Sequence, residues 1–195
     1  MVDLPKVVLK WGRRKPMNLS ATDCQILESI KETAQRVFGL KYSHHVYHNH
    51  QLSIVFSPDK ENYLLVVLHT SYRSIIITYT LPQPIPQEKR KDFYEVFNQV
   101  NDQLARIKIV INSVGMVEMR VELDLFKDPF NAYNFEIMLG RFLIAGTMLL
   151  PHIYEVVNGQ AEKEEILKGL DAMNKLEASR LKNHQGDPGD FSYLS

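Results

Sequence analysis

Residues 117–126 read VEMRVELDLF: Val117, Met119, Val121, Leu123 and Leu125 alternate with Glu118, Arg120, Glu122 and Asp124. An extended strand turns successive side chains to opposite faces, so this period of two places an apolar face on the core and a charged face in water. A strand wet on one side belongs to an antiparallel sheet, because parallel sheets are covered on both faces. Immediately before it, Ile107 to Val114 and Gly115 supply a second β-rich run and a turn, which makes a hairpin.

Working outward, the runs Leu52–Phe56, Tyr63–Leu68 and Ser74–Leu81 are dense in Ile, Val, Leu, Tyr and Thr, with short polar connections at 57–62 and 70–73. Lengths of this kind suit antiparallel hairpins and predict a three-stranded meander. A proline-spaced connector, Leu81 to Pro86, leads to a helical stripe at Phe93, Val96, Phe97, Val100 and Leu104. Upstream, Ile26, Leu27, Ile30, Ala34, Val37 and Phe38 form an amphipathic helix over 21–38. Thr22 with Gln25 can act as its capping box, and Gly39 ends it. A third helix starts near Asn131 and carries more apolar residues than an exposed helix needs, with Pro151 expected to bend or end it. After Asn158 and Gly159, residues 161–181 predict a thinner, peripheral helix.

The expected class is therefore α+β, with two layers: an antiparallel sheet of about five strands with helices packed on it, in the order α-β-β-β-α-β-β-α plus a C-terminal helix. The expected organisation is an N-terminal segment (1–20), one domain (21–157) and a helical extension with a tail (158–195).

The chain of 195 residues is 45% apolar and 24% charged, an ordinary globular composition. Lys and Arg total 23 and so do Asp and Glu, leaving no net field to draw nucleic acid or an anionic membrane surface. Cys24 is the lone cysteine, so no disulfide forms within the chain and a cytoplasmic setting is expected. Asp3 and Pro5 interrupt the opening residues where an export signal needs a basic and then an apolar stretch. The apolar stretch 135–157 contains Glu136, Arg141, Pro151 and His152 and reads as a buried helix, with no membrane partner expected.

The segment FNQVNDQLARIKIVINSVGMVEMRVELDLF (97–126), followed by FEIMLGRFLIAGTMLLPHIYEVV (135–157), resembles the second half of the YbjN-like family of bacterial sensory-transduction regulators. The resemblance spans roughly residues 21–157. It implies a type III secretion chaperone-like fold that dimerises and holds another protein, with no cofactor and no catalytic residues. The N-terminal basic run Lys10, Arg13, Arg14 and Lys15, the histidines of residues 44–50 and the tail beyond Asn158 depart from the family's pattern.

The chemical candidates start from HHVYHNH, which places His44, His45, His48 and His50 within seven positions. Read as one strand, His44, His48 and His50 share a face and a hairpin brings His69 near, so a metal-binding or pH-responsive cluster is conceivable. The plainer reading is a wet edge strand, since no structural zinc spacing is present. Cys24 reads as a partly buried, inert thiol. Glu118, Glu122 and Asp124 read as a solvated sheet face, and no enzyme is expected. The apolar excess points to a protein interface formed by Phe135, Met138, Leu139, Phe142, Leu65, Val67, Ile75 and Ile77. The expected function is a non-enzymatic adaptor or chaperone-like regulator acting as a homodimer, with a metal- or pH-responsive sensor as the alternative.

Overall fold

A computed structural model describes residues 20–48, 50–57, 64–127 and 129–184. Four helices, α1 (Ala21–Phe38), α2 (Arg90–Gln103), α3 (Ala132–Val157) and α4 (Glu164–His184), accompany six strands. The strands are β1 (Lys41–His48), β2 (Gln51–Ser57), β3 (Leu64–His69), β4 (Ser74–Pro84), β5 (Lys108–Ile111) and β6 (Met116–Asp124). They form one antiparallel sheet in the order β1-β2-β3-β4-β6-β5. The α+β class and the element order follow the sequence; the sheet has six strands where about five were expected. The added strand is β1. His48 pairs with Gln51, so the chain reverses between them, and His50 adopts φ 62° there. A tight hairpin needs positive φ, and the histidine-rich strand before it lacks the apolar alternation that marks strands in a sequence.

Cross-strand pairing assigns the faces. Phe56, Leu64 and Tyr79 are aligned across β2, β3 and β4, as are Ile54, Val66, Ile77 and Val121. This inner face is almost completely buried, and the helices lie on it. The ammonium of Lys31 on α1 sits 4.9 Å from the ring centroid of Tyr42, whose Cα partner is Phe56. A Cβ added at Gly146 of α3 would come 3.1 Å from the Met119 methyl.

Helix ends are fixed locally. Ser20, and not Thr22, caps α1: Asp23 N–H donates to Ser20 Oγ at 3.1 Å, and Ser20 Oγ–H donates to Asp23 Oδ2 at 2.7 Å. The buried Asp23 carboxylate also meets Arg73 Nη1 at 3.2 Å, which ties the start of α1 to the β3–β4 turn. Gly39, at φ 62°, donates its N–H back to Gln35 as the helix ends. β4 continues through the expected proline connector as far as Pro84. Beyond Tyr79 it no longer pairs with β3, so the missing proline donors break no ladder on that side.

α3 passes through Pro151 and continues to Val157 instead of ending there. By length and composition α3 could cross a membrane, yet half of its most apolar window is buried within the fold. It packs on the sheet, on α1 and on α4. Through Ile166, Leu170 and Met173, α4 joins the same continuous core as the rest of the chain. That reach is deeper than the peripheral packing its thin stripe suggested.

Candidate functional site: the outer face of the sheet

The outer face differs from the inner one because an antiparallel ladder carries every second side chain away from the helices. One row across it runs Val55, Leu65, Thr78, Arg120 and Lys108; the next runs Ser53, Val67, Ile76 and Glu122. Val55, Leu65, Val67 and Ile76 are partly exposed, whereas Arg120, Glu122 and Lys108 are exposed. The surface is thus apolar over β2 to β4 and charged over β6 and β5. Among the described residues no helix packs on it; α4 lies against α3 and α2 on the far side. Beside the charged half is a shallow depression of about 440 Å3, bordered by Ile76, Arg106, Lys108, Arg120 and Lys127.

The register separates the eight residues expected at a protein interface. Leu65 and Val67 lie on the outer face. Ile75 and Ile77, which share their odd numbering, lie on the inner face at 0% exposure. The four-residue turn Thr70–Arg73 pairs odd positions of β3 with even positions of β4, which is why numbering parity across the hairpin misassigned them. Phe135, Met138, Leu139 and Phe142 are core residues at 0–8% exposure. The sheet, α1 and α4 together absorb the apolar surplus of α3, so within this chain only Leu65 and Val67 of the eight remain on a surface a partner can reach.

Of the expected histidine cluster, Cα register sets His48, Gln51 and His69 in one cross-strand row. His50 sits in the β1–β2 turn, where its carbonyl accepts from Thr70 N at 2.9 Å and from Thr70 Oγ1 at 3.0 Å. His69 is aligned with Gln51, and its ring lies 6.1 Å from that of Tyr72. By Cα register His44 is opposite Val55 and His48 opposite Gln51; the side chains of His44, His45 and His48 lie outside the described residues. Among the described residues no group of three His, Cys, Asp or Glu side chains could hold a metal ion. Cys24 is exposed on the first turn of α1, not partly buried. Glu118 accepts from Asn112 Nδ2 at 2.7 Å, and Asp124 caps the Phe126 N–H at 2.9 Å, so two of the three outer carboxylates serve turns.

One feature the sequence did not announce is the closure of the β5 edge. Asn101 of α2 donates from Nδ2 to Ile109 O at 2.8 Å and accepts from Ile109 N–H at 2.7 Å. The amide thereby occupies the outward-facing main-chain pair of an edge strand, the place where another strand would add. The only hint in the sequence was an Asn at the end of an amphipathic stripe, a residue type with many uses.

No family model matches this chain, and neither a curated protein nor a solved structure matches it.

Proposed function

We propose that this protein is a binding module for other polypeptides that self-associates through the outer face of its sheet. The observation that carries this reading is the partly exposed apolar block Val55, Leu65, Val67 and Ile76, with no described helix packed over it. Contiguous apolar surface of this kind is a usual site of protein contact. The charged half favours a second copy as the occupant. Arg120 and Glu122 stand two residues apart on one face of β6, so a two-fold axis passing between them would bring each onto its opposite in the partner. Closure of β5 by Asn101 directs any client strand away from that edge and toward the face or the β1 edge. A dimeric adaptor of this sort is also what the resemblance to the YbjN-like regulators implies.

Light scattering coupled to gel filtration tests the proposal. The expected mass is twice 22.6 kDa. Val67→Glu with Ile76→Glu is expected to give monomers whose far-ultraviolet circular dichroism matches the parent, because both side chains point away from the core. A parent protein that runs as a monodisperse 22.6 kDa species overturns the reading. So does a dimer that survives both glutamates.

A further inference from the structure

On the helix side of the molecule, sharing Arg106 with the rim of the outer-face depression, a cleft of about 500 Å3 opens between the end of α2, the start of α3 and the middle of α4. Leu104, Ile107, Leu123, Met138 and Met173 give it an apolar side, and Gln103, Asn131 and Asn134 line it with side-chain amides. Arg106 and Arg141 also line it, and both are exposed. Among the described residues no Asp or Glu lines the cleft, and neither arginine is ion-paired with a described carboxylate. Both guanidiniums favour an anion in the cleft, Arg106 less than Arg141 because it also borders the outer-face depression with Glu122 and Asp124.

The volume falls in the range of small-molecule sites, which combine an apolar lining with a few convergent polar groups. We propose that this cleft binds an unbranched aliphatic carboxylate, with its headgroup at Arg106 and Arg141 and its chain along Met138 and Met173. The apolar side discriminates among anions. Inorganic phosphate would leave the hydrocarbon surface unused. Methionine side chains adapt their shape to a flexible chain. Asn134 adds a side-chain amide at the rim, whereas Gln103 is engaged, its Oε1 accepting from Asn174 at 3.0 Å.

Calorimetric titration of the full chain with decanoate, below its micelle concentration, tests the inference. Methyl spectra of 13C-methionine protein would be recorded in parallel. Decanoate is expected to bind saturably and to shift the Met138 and Met173 methyl resonances, while butyrate and decyltrimethylammonium do neither. The pair Arg106→Ala and Arg141→Ala is expected to weaken decanoate binding by about tenfold or more, the loss of a charge-assisted contact. Both side chains are exposed, so the variant should keep the parent's thermal unfolding midpoint. No binding, equal binding of the cationic amphiphile, or an affinity unchanged by the double substitution each overturns the proposal.

Discussion

Replacing Asn101 with Ala removes two hydrogen bonds to a single residue of β5, Nδ2 to Ile109 O at 2.8 Å and Ile109 N to Oδ1 at 2.7 Å. Each such bond contributes about 0.5–1.5 kcal/mol net, so the pair is worth about 1–3 kcal/mol if water only partly replaces it. Water reaches this strand edge, but the adjoining Ile109 side chain is 1% exposed, which argues for the middle of that range over its lower limit. Lys108, whose Nζ donates to Asn101 O at 2.8 Å, is unaffected, because that acceptor is main chain. Asn101→Asp separates the two bonds. The carboxylate still accepts from Ile109 N–H but cannot donate to the carbonyl and repels it, so its loss should match or exceed that of one bond. Urea unfolding followed by circular dichroism, at one fixed protein concentration because the proposed self-association would add to apparent stability, gives the comparison. An alanine variant within about 0.5 kcal/mol of the parent would refute the claim that this amide holds the β5 edge. An aspartate variant as stable as the parent would show that only the acceptor matters.

Two further outcomes follow from the long helices. Gly169→Ala would ordinarily stabilise a helix interior by about 1 kcal/mol. Here the new Cβ would lie 2.9 Å from Met148 O and 2.6 Å from His152 Cδ2, so net destabilisation by about 1–3 kcal/mol is expected, with faster proteolysis within α4. Thermal unfolding and limited trypsinolysis check both, and a rise in stability would show that α4 is not held as closely as the geometry requires. Pro151→Ala restores an N–H inside α3 at an exposed position, and proline costs up to about 3 kcal/mol in a helix interior. A gain of about 1 kcal/mol or more in urea unfolding is expected; a loss would mean that the proline ring itself supports the local packing.

Legibility varied by element. The β6 strand was readable because Val117 to Leu125 obey a period of two over nine residues, and α1 because its stripe and Gly39 agree. β1 was read as an edge strand from its histidine run but not counted in the sheet, because its histidines and tyrosines carry no apolar alternation and its end is set by a turn at His50. The outer face was half legible: both alternations of β3 and β4 are apolar, so composition showed that two surfaces needed covering but not which side the helices take. The misassignment of Ile75 and Ile77 shows the limit, since register across a hairpin depends on turn length and sheet twist and not on numbering.

By itself, the sequence determined the local periods, the helix boundaries near Gly39 and Asn131, the antiparallel class and the electroneutral surface, because each depends on residues close together in the chain. Tertiary structure decided what depends on distant residues meeting. It sends α4 onto α3 and α2 and away from the outer face, commits Asn101 to Ile109, and gathers Arg106 and Arg141 on one cleft. Burial and pairing are properties of that assembled geometry, and no window of sequence contains both partners.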